Sequence, residues 1–237
     1  MKIKAMTYNI LSGHNLAREL NLEYAASVIR TMQPDFVTLN EVRSHTSDIG
    51  PVDQANELGR LTGYYPVFAK AIDILGGAYG NALLTRLPLM ESQVIHIPDP
   101  LEKTGNYYYE HRCILRSVLK AGSQTLTVFC THFGLAPSEQ ENAVKLALEL
   151  LAKETNPVLW MGDLNAEPSS PIVKPLFDAL KDSCANLDIL TFPSDIPQIK
   201  IDHILFSPPF RLEAVYSPDT QNSDHRPLIA ELMLPES

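Results

Sequence analysis

Carboxylates, amides and imidazoles in this chain fall at the ends of apolar runs. Asn9 closes the alternating run that starts at Ile3. Glu41 comes just after Phe36-Val37-Thr38-Leu39, and His132 just after Leu126-Thr127-Val128-Phe129-Cys130. Asp163 and Asn165 follow Val158-Leu159-Trp160-Met161. Asp202 sits within Ile201-Asp202-His203-Ile204-Leu205, and Asp224-His225 precede Pro227-Leu228-Ile229. One strand-end Asp or Asn is ordinarily a turn former or a helix cap, and a lone His is ordinarily a satisfied surface or core group. Independent caps need not recur at so many run ends. If these runs are strands sharing one direction, their ends converge on one rim, where active sites of sheet proteins concentrate.

The chemistry open to such a set is narrow. It holds carboxylates, amides and imidazoles, with no close cysteine pair and no His-x-x-x-His. Oxygen-rich donors suit Mg²⁺ or Mn²⁺ rather than structural zinc, and Mg²⁺ typically takes one or two carboxylates plus substrate phosphate and water. Neither a phosphate-loop motif nor Gly-x-Gly-x-x-Gly is present, so nucleotide-triphosphate or dinucleotide use has no support. The Gly-x-Ser-x-Gly elbow of serine hydrolases is also missing.

The elements that must position these residues alternate apolar and amphipathic runs. Strands are expected at Ile3 to Ile10, Asp35 to Leu39, Tyr65 to Ala69, Ala82 to Thr85 and Ser92 to Ile97. A hairpin is expected from Cys113 to Leu119 and Thr125 to Thr131 around Ala121-Gly122-Ser123. Further strands are expected at Pro157 to Met161, Lys200 to Phe206, Glu213 to Tyr216 and Leu228 to Leu232. Asn21 can cap a helix through Leu22, Ala25, Val28, Ile29 and Met32, stopped by Pro34. A second helix is expected over residues 52–62, ending at the C-cap Gly63. Ser138-x-x-Glu141 reads as a capping box opening the longest helix, and a fourth helix is expected over residues 171–181. Each half of the chain reads strand–helix–strand and then further strands, which implies mixed α/β architecture with helices covering sheets.

At 237 residues, and about 150 per domain, the expectation is one domain spanning residues 1–237, with a core that needs no disulfides. The 18 prolines argue against long bundles or coiled coils. Nineteen basic against 28 acidic residues leave a net charge of −9, which suits neither non-specific DNA binding nor an anionic membrane. Cys113, Cys130 and Cys184 are odd in number and unpaired in spacing, so a disulfide framework is not expected. The start Met1-Lys2-Ile3-Lys4 lacks the apolar segment of a signal peptide, and no apolar stretch reaches about 18 residues. A reducing, cytoplasmic setting without a membrane span follows as the expectation.

Six motifs then carry a family resemblance. Thr7-Tyr8-Asn9-Ile10, Leu39-Asn40-Glu41-Val42, Thr131-His132-Phe133, Gly162-Asp163-Leu164-Asn165, Ile201-Asp202-His203-Ile204 and Ser223-Asp224-His225-Arg226-Pro227 resemble the endonuclease/exonuclease/phosphatase superfamily. They occur in that superfamily's order and span nearly the whole chain. The resemblance implies a deoxyribonuclease-like four-layer sandwich, two packed mixed β-sheets flanked by helices, and metal-dependent hydrolysis of a phosphoester. Carried over residue by residue, Glu41 resembles the main metal carboxylate, with Asn9 and Asp224 as partners in the metal and phosphate shell. Asp163 resembles the group that orients or deprotonates the attacking water, and Asn165 a donor to phosphate oxygen. His225 resembles a phosphate contact and proton carrier oriented by Asp202. His132 resembles the second histidine of the deoxyribonuclease branch.

Other residues keep two readings. Asn81 resembles a mid-chain position near the phosphate, or serves a Gly-Asn turn. Arg112 pairs either with a phosphate or with Glu110. Tyr107-Tyr108-Tyr109 is a substrate wall or an exposed loop, and His203 is expected to pack. The expected activity is that of a Mg²⁺- or Mn²⁺-dependent phosphodiesterase or phosphatase. The alternatives are a nuclease acting on nucleic-acid ends or single strands, and a catalytically silent binding protein. The expected partner is a phosphoester substrate, a small molecule or a nucleic-acid end, with no protein partner implied.

Overall fold

A computed structural model describes residues 1–235 of the chain. The first sheet gathers β1 (Lys2–Asn9), β2 (Phe36–Ser44), β3 (Tyr65–Ile74), β4 (Gly77–Thr85), β11 (Arg211–Tyr216) and β12 (Leu228–Met233) in the order β11-β12-β1-β2-β4-β3. The second gathers β5 (Leu89–His96), β6 (Cys113–Ala121), β7 (Gln124–His132), β8 (Val158–Asp163), β9 (Lys181–Asp182) and β10 (Asp202–Phe206) in the order β5-β6-β7-β8-β10-β9. Both sheets are mixed. β1 runs parallel to β2, and β7 parallel to β8, while their other neighbours are antiparallel.

Period-two alternation decides which side chains fill which layer. From β1, Ile3 and Ala5 enter the space between the sheets, whereas Met6 and Tyr8 face the outer helices. From β8, Leu159 and Met161 point between the sheets, and Trp160 points outward onto Phe129, 4.8 Å away between ring centroids. Helices α1 (Leu22–Met32) and α2 (Gln54–Thr62) cover the first sheet, and α3 (Pro137–Leu151) and α4 (Lys174–Ala179) the second. The result is helix, sheet, sheet, helix.

Local signals account for most helix ends. The Asn21 side chain accepts from the Glu23 amide, and Gln33 leaves α1 in the left-handed region just before Pro34. Asp53 accepts from the Asn56 amide at the start of α2, and Gly63 closes it with φ 78°. The expected box at Ser138 is corrected. Helix α3 starts at Pro137, and Glu139 reaches back to accept from the Ala136 amide at 3.1 Å. Helix α4 is shorter than expected, because Pro175 lacks an amide hydrogen and fits only the first turn.

Three strands run further than their apolar patterns suggested. β2 continues through Glu41 to Ser44 by way of a bulge between Leu39 and Val42. β3 and β4 extend to meet at Ile74 and Gly77. Gly80 permits this pairing, since a Cβ there would lie 2.0 Å from the Ala69 carbonyl oxygen.

Candidate active site

The polar residues do converge on one rim, but not by sharing one strand direction. Asn9, His132 and Asp163 end β1, β7 and β8, whereas Asp202 opens the antiparallel β10 and Arg112 precedes β6. Asp224 and His225 lie in the loop leading into β12, which is antiparallel to β1. Register fixes a row across the second sheet, with His132 opposite Asp163 and Asp163 opposite Asp202. The first sheet supplies Asn9 and Glu41. The bulge in β2 holds Glu41 at φ 60°, an uncommon conformation for a residue with a side chain, and such local strain often marks functional positions.

Hydrogen bonds join the two sheets at this rim. Asn9 Nδ2 donates to Glu41 Oε1 at 3.0 Å and to Asp163 Oδ2 at 3.2 Å, while Asn9 Oδ1 accepts from the Leu11 amide. His225 Nδ1 lies 2.8 Å from Asp202 Oδ2, and His225 Nε2 lies 3.7 Å from Asp163 Oδ2. Phe192 packs on the His225 ring with centroids 4.8 Å apart. Asp163 Oδ1 accepts from the Asn165 amide at 2.8 Å, and Asn165 Nδ2 donates to the Phe133 carbonyl. Arg112 Nη1 reaches Glu110 Oε1 at 2.8 Å and His132 Nδ1 at 3.0 Å.

A cavity of about 520 Å³ opens over this network. Glu41, Asp163, Asp224, Asn165, His132, His225 and Arg112 line it, together with Tyr79, Tyr108, Leu135, Phe192 and Ile199. Asn9 and Asp202 lie beneath it, fully buried. Asn81 is not brought to the cavity wall. It is 2% exposed, accepts from Asn40 Nδ2 and donates to the Cys113 carbonyl. His203 packs edge-on against Phe177 and bonds the Ala166 carbonyl with Nε2.

Asn40 was not among the residues singled out by sequence. It is fully buried between the sheets, donates to Asn81 Oδ1 and the Thr131 carbonyl, and accepts from the Asp163 amide at 2.9 Å. Its place within Leu39-Asn40-Glu41-Val42 was visible, but its partners come from three distant strands. Asn40→Ala strands those groups, and a buried unsatisfied group costs about 1–3 kcal/mol. The expected loss of stability is therefore at least about 3 kcal/mol, read from the denaturant midpoint.

Electrostatics follow from burial. Burial pushes the Glu41 carboxyl up, against the opposing hydrogen bond from Asn9. Burial also lifts Asp163 to about 7, with His225 opposing and Asp202 reinforcing the rise. At His225 burial acts downward, but the Asp202, Asp163 and Asp224 charges outweigh it and raise the ring to about 10. Burial and then the Arg112 charge hold His132 well below the ordinary histidine value.

The donor chemistry fits a divalent cation. Glu41, Asp163, Asp202 and Asp224 crowd one region, and the Arg112 charge is already matched by Glu110. Asp163, Asp202 and His225 offer ligand atoms within 4.8 Å of one another, and Asp202 Oδ1 is buried without a protein partner. Carboxylates that burial disfavours as anions gain from a hard cation.

Two packed mixed sheets with outer helices and a buried acid–histidine cluster at one rim define the deoxyribonuclease-like fold. The chain belongs to the endonuclease/exonuclease/phosphatase family, whose model matches residues 6–225. Among curated proteins none matches significantly. A family structure from Beutenbergia cavernae superposes with a TM-score of 0.80 at 22% identity, covering 98% of this chain and 72% of that one. A mannosyl-6-phosphatase from Bacteroides thetaiotaomicron gives 0.79 at 17% identity, covering 98% and 100%. The human Nocturnin catalytic domain, which holds a sulfate anion, gives 0.74 at 19% identity, covering 98% and 94%. No helix among the described residues is long and apolar enough to cross a membrane.

Proposed function

We propose that the chain is a Mg²⁺- or Mn²⁺-dependent phosphoesterase that cleaves a small phosphoester, or a nucleic-acid end, with an activated water, and that the whole chain forms one domain. The observation that carries this reading is the row His132–Asp163–Asp202, with His225, facing Glu41 and Asp224 across one cavity. Glu41 would hold the cation, with Asn9 and Asp224 beside it. The cation would neutralise charge on the phosphoryl oxygens as it builds in the transition state.

The chain's own groups take the remaining roles. Asp163 orients the attacking water and accepts its proton. Asn9 fixes Asp163 and Glu41 relative to each other through one amide nitrogen. Asp202 holds the His225 Nδ1–H, so that Nε2 faces the cavity and can pass a proton to the leaving oxygen. Asn165 stands at the cavity wall as a donor to phosphate oxygen. The phosphatase named among the structural neighbours supports a phosphoester as the substrate class.

Arg112 lines the cavity beside Glu110, which matches its charge, so long duplex DNA finds few phosphate contacts there. A duplex binder making six to ten such contacts loses about 10³–10⁵ in affinity between 50 and 200 mM salt. The expected result here is a shallow salt dependence on small phosphoesters or ends, and poor cutting of internal duplex sites. The test is a rate panel over a salt series. It uses bis-p-nitrophenyl phosphate, p-nitrophenyl phosphate, single- and double-stranded DNA, RNA, sphingomyelin, and sugar and inositol phosphates, each with Mg²⁺, Mn²⁺ or EDTA. Efficient internal duplex cleavage with steep salt inhibition would replace the small-phosphoester reading by a nuclease. A chain inert on every substrate with either cation would favour a silent binding protein.

A further inference from the structure

We propose that Arg112 is a positioning residue that fixes the tautomer of His132, making His132 a neutral hydrogen-bond donor instead of a proton carrier. The inference rests on the phosphoesterase reading for its consequence, but its premise is geometric. A guanidinium nitrogen can only donate a hydrogen bond. Arg112 Nη1 lies 3.0 Å from His132 Nδ1, so Nδ1 must be the acceptor and carries no hydrogen. The single ring proton of neutral His132 then sits on Nε2. That nitrogen lies 3.5 Å from Asp163 Oδ2, and the ring lines the cavity.

The arrangement is held from behind. Arg112 is 9% exposed and pairs with Glu110 Oε1 at 2.8 Å. Glu110 is tied in turn, its backbone amide donating to the buried Glu139 at 3.0 Å. Arg112 therefore cannot swing toward a phosphate without breaking a buried ion pair and uncovering a histidine nitrogen. Adding a proton to His132 would set Nδ1–H against the guanidinium N–H in the same buried space.

His225 is built the opposite way. Its Nδ1 faces a carboxylate oxygen of Asp202 at 2.8 Å, so Nδ1 bears the hydrogen and Nε2 is the atom that gains or loses a proton. The two histidines thus present different chemistry to one cavity. His225 exchanges a proton, while His132 offers a fixed N–H to the phosphate oxygens or to the water held by Asp163. Arg112 then serves the reaction without touching the substrate.

The test is side-chain ¹⁵N NMR of the full chain in Mg²⁺ buffer at neutral pH, with the His132 signals identified by their loss in His132→Gln. The expected spectrum shows an unprotonated Nδ1 and a protonated Nε2. In Arg112→Met that pattern gives way to a mixture of tautomers, and Arg112→Lys, which keeps a charged donor, restores it. Outer-shell partners that orient the groups of a metal site typically account for about 10- to 100-fold in activity, and Arg112→Met should lose kcat on that order with KM unchanged. His132→Gln, which keeps an amide donor near the position of Nε2, should retain more turnover than His132→Ala. A protonated Nδ1 in the unmodified chain overturns the proposal, as does an unchanged spectrum in Arg112→Met. A raised KM with kcat intact would make Arg112 a direct phosphate ligand and also overturn it. Absence of any phosphoesterase activity would defeat the function proposed above, while the spectra would still decide the tautomer.

Discussion

Asp163→Asn is expected to lower the turnover number by about 10²–10⁴-fold, the range that general-base groups contribute. The substitution keeps size and the acceptor for the Asn165 amide, which bonds Oδ1 at 2.8 Å. It replaces the oxygen that meets Asn9 Nδ2 at 3.2 Å with a second N–H₂ group, so one buried hydrogen bond is lost. It also removes an anion that burial disfavours. These two effects oppose each other, and each is on the order of 1–3 kcal/mol. The thermal midpoint should therefore stay close to that of the unmodified chain while kcat collapses. A near-normal rate in this variant would show that another group activates the water.

Stripping divalent cations with excess EDTA should abolish turnover and leave the fold in place, because the apolar layers do not depend on an ion. Adding back Mg²⁺ or Mn²⁺ should restore the rate. Glu41→Gln keeps the shape at the β2 bulge and an acceptor for Asn9 Nδ2, but removes the charge. Its activity should need far higher cation concentration, with lower turnover at saturation. Circular dichroism and rate measured on the same samples separate loss of metal from loss of fold. Undiminished hydrolysis after prior stripping would sink the metal-dependent reading.

The fold was legible wherever short-range chemistry decides. Asn21, Asp53 and Gly63 mark helix ends because each acts on amides within a few residues of itself. The turn at Gly122 and its flanking alternation mark the β6–β7 hairpin for the same reason. Two misses differ in kind. Glu139 caps α3 through the Ala136 amide three residues back, a local alternative to the Ser138 box, and its other oxygen accepts from the distant Glu110 amide. The bulge at Glu41 looked like the end of a strand because two polar residues interrupt the apolar run, yet pairing with β4 resumes at Val42.

At the site, the residue types were readable and their division between floor and wall was not. Asn9, Asp163, Asp202 and His225 sit together because adjacent strands hold them in register or hydrogen-bond reach. Asn81 carries the same chemistry but points into the bracing network between the sheets, since its position in β4 lies beside Asn40. Only pairing across strands distinguishes the two fates.

The reacting groups stand mainly on strand ends or bond directly to them, whereas Tyr108, Leu135, Phe192 and Ile199 reach the cavity from connecting segments. The segment bearing Phe192 and Ile199 is fastened to the His225 loop through Ser194, whose amide donates to the Asp224 carbonyl and whose hydroxyl donates to that of Ser223. Tyr108, in contrast, is 64% exposed. Exchange of the segment at Tyr108, stopping short of Glu110 and Arg112, should therefore retune selectivity while the Glu110–Arg112–His132 contacts stay in place. Exchange around Phe192 would disturb the His225 ring on which it packs as well. The molecule has one adjustable jaw and one fixed jaw, and laboratory evolution for new substrates belongs on the adjustable one.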